Sequence, residues 1–309
     1  MKFPLEIKPD RKFDVVGFGT NAVDYLITVP HFPQFNSKIE LDDYTRLAGG
    51  EVATTLSGLA RLGLKTAYVG SFGDDEAGRF GQESLQEEGV DLTYIKIVRG
   101  ASTQIAFILI DKTTGERTVI WRRDPALSFK PEEIPEDLAG NSKILHLTPH
   151  DIEASIRFAT FARENGTLVS IDADRMQDGL EKLLQLVDIL VISRELALSL
   201  TGKEDETKAL ELIHETFRPA VSGITLGDTG SVVISDGRIY KTPAMPVPGG
   251  CRDTTGAGDA FRTGLLFGIL NGEDIERTCR IANAVASLKC RKIGARTALP
   301  TLEELSQYI

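Results

Sequence analysis

The chain has 309 residues, 41% of them hydrophobic and 26% charged, with a formal net charge of −10. That length and composition suit a globular protein built on one large domain, and the acidic balance excludes a surface made to hold nucleic acid or an anionic membrane. The first residues lack the apolar core of a signal peptide and no apolar run is long enough to span a bilayer. Three cysteines without a CxxC pair suit a reducing compartment, so a cytoplasmic protein is expected.

Along the chain, short apolar runs alternate with helical patterns. Strands are expected over residues 14–18, 66–70, 143–147, 167–171, 188–192 and 221–226, and helices over 75–88, 152–165 and 206–217. Strands that are apolar on both faces and separated by helices form a mostly parallel sheet covered on both sides, a three-layer α/β/α domain spanning residues 1–309. Two stretches depart from this rhythm. Residues 23–47 read as extended segments with Pro30 and Pro33 between them. Residues 96–123 carry TQIAFILI and RTVIW across the turn DKTTGE with its Gly115, the pattern of a hairpin. The two stretches are expected to pair as a small antiparallel sheet, a lid that keeps water out of a site.

Some signals point nowhere. Gly17, Gly19 and Ala22 fit a dinucleotide fingerprint, but the residues after them read as extended and not as the helix that fingerprint opens. No P-loop pattern occurs. His146 and His150 are four apart with Pro149 between them, so they share no helical face and a zinc site is not expected. Cys251 reads as a small buried filler.

The most informative segment is Asp253-Thr254-Thr255-Gly256-Ala257-Gly258-Asp259-Ala260-Phe261, which opens an apolar helix. Small residues let a ligand approach the backbone, and the N–H groups of a helix's first turn, unpaired within the helix, favour an anion there. Alone, Asp259 would be an ordinary first-turn acid. Beside a phosphate-sized anion hole it also suits a base that accepts the proton of an attacking hydroxyl.

DTTGAGDAF followed by an apolar helix resembles the C-terminal signature of the ribokinase-like (PfkB) carbohydrate kinase family. Gly49-Gly50, the helix VATTLSGLARLG and TAYVGSFGDDEAGRFGQESLQEEGVDL resemble its N-terminal signature, and the C-terminal SLKCRKIGARTALPT suggests the ketohexokinase-like branch. The resemblance implies a ribokinase-like fold and transfer of the γ-phosphate of ATP, with Mg2+, to a hydroxyl of a sugar-like molecule. Asp259 would be the base, and the N–H groups of Gly256, Ala257 and Gly258 the anion hole. It also implies sugar contacts at Asp24, Gly49 and Gly50, ATP contacts at Thr225, Gly227 and Gly230, an adenine neighbour at Asn283, a monovalent cation such as K+ at Asp253 and Thr255, and a homodimer joined through the lids.

Departures from the family pattern matter as much. Where many members carry N-x-x-E to support magnesium, this chain has Ser193 and Leu196, with Glu195 one place off and about 100° round the helix. Thr54 and Glu51 stand at positions that are often polar sugar contacts, and an acid at Glu51 either accepts from sugar hydroxyls or repels a phosphorylated substrate. Arg123, with Arg122 near the end of the lid, either reaches an acidic group of the substrate or guards an edge strand. A nucleoside kinase and a silent ligand-binding regulator on the same fold remain alternatives.

Overall fold

The computed structural model describes residues 4–114 and 117–309. In chain order its strands are β1 (Phe13–Phe18), β2 (Ala22–Val29), β3 (Asp43–Gly49), β4 (Thr66–Val69), β5 (Ser71–Gly73), β6 (Lys96–Val98), β7 (Ile105–Asp111), β8 (Arg117–Arg122), β9 (Ser142–Leu147), β10 (Leu168–Ala173), β11 (Ile189–Ser193), β12 (Val221–Thr225), β13 (Ser231–Ser235) and β14 (Arg238–Thr242). The expected strand ends hold to within two residues, and helix Glu206–Phe217 matches its expected span.

Eight strands make one sheet in the order β14-β13-β12-β11-β10-β9-β1-β4. Neighbours from β4 to β12 run parallel, and β13 and β14 add an antiparallel edge. Alternate side chains of each strand serve opposite faces, which is why these strands read as unbroken apolar runs. Leu190 and Ile192 of β11 join the cluster that contains Phe158 and Leu210 of helices Ile152–Glu164 and Glu206–Phe217. Ile189 and Val191 face the other way, into the cluster with Leu56, Leu265 and Val285 of helices Glu51–Arg61, Ala257–Leu270 and Ile275–Lys289. The result is three layers. Among the described residues no helix is long and apolar enough to cross a membrane.

A second sheet, in the order β3-β2-β7-β8, joins the two stretches that broke the helical rhythm. Its central pair, β2 with β7, is parallel, with Asp24 opposite Ala106, so the sheet is mixed and not antiparallel as expected. Parallel pairing follows because the two strands are not a hairpin: β3 and the helices Glu51–Arg61 and Glu76–Glu87 lie between them in the chain. β7 and β8 do pair antiparallel, although the Gly115 turn expected between them lies outside the described residues. β6, expected in this sheet, instead pairs with β5.

Candidate active site

In an open parallel sheet the ligand crevice lies beyond the carboxyl ends of the strands. Thr20 follows β1, Asp172 lies near the end of β10, and Ser193 and Thr225 close β11 and β12. All four line one open cavity of about 480 Å³, with Ala106, Ile108, Val119 and Trp121 of the small sheet on the opposite wall.

The start of helix Ala257–Leu270 forms part of the same cavity. Gly256 caps it with φ 77°, and a Cβ there would lie 2.9 Å from the Cα of Ala295, so only glycine fits without strain. Gly256 and Gly258 have N–H groups without a hydrogen-bond partner among the described residues. The N–H of Ala257 does have one: it donates to Thr254 O at 3.1 Å. Of the three amides expected to make an anion hole, the two glycine amides are therefore left to face a ligand, because the turn that shapes the helix start uses the third.

Asp259 is half-buried in this cavity beside the buried Asp172. Burial, then the charges of Asp172 and Glu51, push its carboxyl well above the usual carboxylate range, against the pull of Arg262. Arg262, one turn further along the helix, is itself buried. It donates to Asp172 Oδ1 at 2.7 Å and to Val191 O at 2.9 Å. A carboxylate held high in this way is a stronger proton acceptor than an exposed aspartate.

Asp24 and Glu51 complete the polar wall. Gly49 lets the Asp24 carboxylate lie against the main chain, since a Cβ at Gly49 would sit 2.0 Å from Asp24 Oδ2. Burial pushes Asp24 up to about 6, although Arg296 opposes the rise. Gly50, at φ 91°, starts the helix that presents Glu51. Burial, with help from Asp172 and Asp174, pushes Glu51 up to about 8. Its Oε2 accepts from Thr20 Oγ1 at 3.3 Å and stands 3.5 Å from His150 Nδ1. Burial holds His150 down at about 4, so the ring is neutral and that contact is no ion pair near neutral pH. The Oε1 of Gln104, also on the wall, is buried with no partner among the described residues.

Residues 12–302 match the model of the pfkB family of carbohydrate kinases. The chain belongs to that family. It is 30% identical to an ATP-dependent ribose-1-phosphate kinase from Halopiger xanaduensis, over 96% of this chain and 97% of that one. It is 29% identical to a nucleoside kinase from Methanothermobacter thermautotrophicus, over 94% of each chain. The ribokinase of Arabidopsis thaliana, solved with ribose and ATP, has the same fold at a TM-score of 0.82 and 24% identity, covering 96% of this chain and 98% of that one.

Within this carbohydrate kinase, Asp24, Gly50, Glu51, Ser193, Thr225, Thr255, Gly256, Ala257, Gly258 and Asp259 line the one cavity. Other expected site residues do not. Arg123 forks onto Asp151 at 2.8 and 3.0 Å and also meets Ser128, so its guanidinium is committed to structure. Thr54 is fully buried and accepts weakly from Arg296 Nε at 3.5 Å, and Arg296 also donates to Gly49 O. Both residues thus support the wall behind Asp24. Gly227 and Gly230 shape the turn between β12 and β13. Asn283 lines a separate cavity of about 550 Å³ with Thr242, Met245 and Tyr308, while its Nδ2 donates to Ser231 Oγ. Cys251 is exposed, and it is Cys279 and Cys290 that are buried.

A monovalent cation at Asp253 and Thr255 does not fit. Asp253 Oδ1 accepts from the N–H and the hydroxyl of Thr255, at 2.9 and 2.7 Å, and Oδ2 accepts from Gly294 N at 2.8 Å. The Asp253 carbonyl takes the ammonium of Lys289 at 2.7 Å. Magnesium is a different case. Among the described residues no group of three or more His, Cys, Asp or Glu could hold a metal alone. An ion that keeps its waters and is held by phosphates and one or two carboxylates needs no such cage, and the Asp174 carboxylate and Ser193 hydroxyl on the cavity wall are suitable oxygens. Glu195 is exposed and Leu196 buried.

Sequence reasoning missed Asp172, Arg262, Asp174, Arg175, Trp121 and Arg117. Two left a signal. Arg262 interrupts an otherwise apolar helix, and Asp172 closes an apolar strand at its carboxyl end, where a charge needs a partner or a task. Arg117 meets Thr254 from across the cavity, and the Arg175 guanidinium lies 5.2 Å from the Trp121 ring. Those pairings join segments far apart in the chain.

Proposed function

We propose that this carbohydrate kinase transfers the γ-phosphate of ATP to a hydroxyl of a neutral, sugar-like small molecule, with Asp259 as the base. The observation that carries the reading is the meeting, in one cavity, of a carboxyl held well above its ordinary range, two free glycine amides at a helix start, and an acceptor-rich wall. Asp24, Glu51 and Gln104 suit donation from several hydroxyls of a neutral acceptor. Asp259 accepts the proton of the attacking hydroxyl. The amides of Gly256 and Gly258 then stabilise charge on the phosphoryl group in transit.

The nucleotide lies along the carboxyl edge of the sheet, past Thr225 and the Gly227–Gly230 turn, with adenine in the cavity beside Asn283. Asp174 and Ser193 would hold Mg2+ through its waters, and that ion would neutralise phosphate charge when bound. The small sheet acts as the lid, already touching the anion-hole loop through Arg117 and Thr254. A second copy would pack on its outer face, where Tyr44, Phe107 and Ile120 are exposed.

One observation favours a nucleoside as acceptor. Trp121, 47% exposed on the cavity wall and backed by Arg175, offers a base a stacking surface. An ADP-release assay over neutral sugars, sugar acids, sugar phosphates and nucleosides tests both readings. Turnover is expected with a neutral polyol or nucleoside and not with the phosphates. Asp259→Asn should lower kcat by about 10²–10⁴-fold with ATP affinity nearly unchanged; undiminished turnover in that variant would defeat the assigned role.

A further inference from the structure

Lys289 is the last residue of helix Ile275–Lys289, and no part of it reaches solvent. A lysine is rarely buried so completely without a specific partner, because an ammonium is strongly favoured in water and must regain that stabilisation inside the protein. The partner is a single residue of the anion-hole loop: Nζ donates to Asp253 O at 2.7 Å and lies 3.7 Å from Asp253 Oδ2.

The rest of that loop is tied to the same aspartate and to the segment after Lys289. Asp253 Oδ1 accepts from Thr255 and Oδ2 from Gly294, while the amides of Arg252 and Asp253 donate to Cys290 O at 2.8 and 3.4 Å. Gly256 then presses against Ala295. Only Thr254 and Thr255 separate Asp253 from the free amide of Gly256, so the ammonium charge sits at the root of the anion hole. Without it, a carbonyl and a carboxylate oxygen would converge in a buried place with less positive charge to hold them. Burial pulls the Lys289 ammonium below its ordinary range while Asp253 holds it up, and Asp253 is held below its own ordinary range, despite burial, by Lys289 and its hydrogen bonds.

We infer that Lys289 is a built-in monovalent cation: a positioning residue whose ammonium fixes the Asp253–Gly256 loop in its phosphate-binding shape and makes turnover independent of K+. The inference rests on the kinase reading for its catalytic consequence, but not for its structural one. A free cation would need the Asp253 oxygens that the protein's own donors already occupy. Chain-borne charge at this point is also always in place, whereas an ion must be bound from solution.

The test compares the full-length protein and Lys289→Met with tetramethylammonium, K+ or ammonium as the sole monovalent cation. Both ADP release and thermal unfolding are read. Wild type is expected to show the same kcat and the same Tm in all three salts. Lys289→Met, which keeps the stem as far as Cε and removes the charged nitrogen, should lose about 10²-fold in kcat in tetramethylammonium, as expected when a reacting group is displaced by about 1 Å. The KM for the acceptor should stay within a few-fold, and K+ or ammonium should restore part of both kcat and Tm. Activation of wild type by K+ overturns the inference. So does full activity of the variant in tetramethylammonium, or a loss that neither small cation repairs. If the variant does not fold, the wild-type salt comparison decides. If wild type phosphorylates no acceptor, the kinase reading fails by itself, and the Tm comparison still tests the cation.

Discussion

Glu51→Gln tests the electrostatics of the site most directly. Burial, with Asp172 and Asp174 adding to it, moves the Glu51 carboxyl from 4.5 to about 8 in the folded chain. An acid with a raised folded-state pKa is favoured in its protonated form, so its ionisation opposes folding. The penalty is absent below about pH 4.5, grows as the pH rises and is complete above about 8. At about 1.4 kcal/mol per pH unit, the shift corresponds to at most about 5 kcal/mol. Because 33% of the side chain faces solvent, screening reduces this to about 2 kcal/mol. Glutamine keeps the acceptor that Thr20 Oγ1 uses and removes the charge. The variant should therefore unfold at the wild-type temperature near pH 5 and about 4 °C higher near pH 9, read by calorimetry or circular dichroism at both values. Loss of a negative neighbour also lowers the Asp259 carboxyl, so the acidic limb of kcat/KM should move to lower pH. A stability difference that is the same at both pH values, or a variant less stable at high pH, would refute the reasoning.

Other variants probe the same cavity from different sides. Gly256→Ala places a Cβ at φ 77° and 2.9 Å from Ala295 Cα, so it should cost about 1–2 kcal/mol for the left-handed conformation alone, and kcat should fall more than the acceptor's KM rises. Arg262→Met leaves the buried Asp172 charge unpaired. Chemical denaturation should show a loss of about 3–5 kcal/mol. Because Arg262 pulls the Asp259 carboxyl down, the acidic limb of the pH–rate profile should move up, opposite to the shift in Glu51→Gln.

Much of the architecture was legible in the sequence because it rests on local chemistry. Apolar runs on both faces of a strand require helices above and below, and Gly256 and Gly258 at the start of an apolar helix lie where helix geometry leaves amides unpaired. The pfkB signatures made the family legible for the same reason, since they spell out a backbone shape residue by residue. Asp259 could be named from such a local pattern.

Only the tertiary structure decided which residues meet. Asp172 and Asp259 are far apart in sequence and adjacent in space because β10 ends where helix Ala257–Leu270 begins, and the resulting rise in the Asp259 carboxyl cannot be read from either segment. Arg123 and Thr54 looked available as polar groups near the site, and the fold assigned them to Asp151 and Arg296. Lys289 reads in sequence as an ordinary basic residue at a helix end. It is burial beside the Asp253 carbonyl that makes it a cation of the site. The division has one physical cause: backbone geometry and periodicity are set by near neighbours, whereas desolvation and charge pairing depend on the whole packed chain.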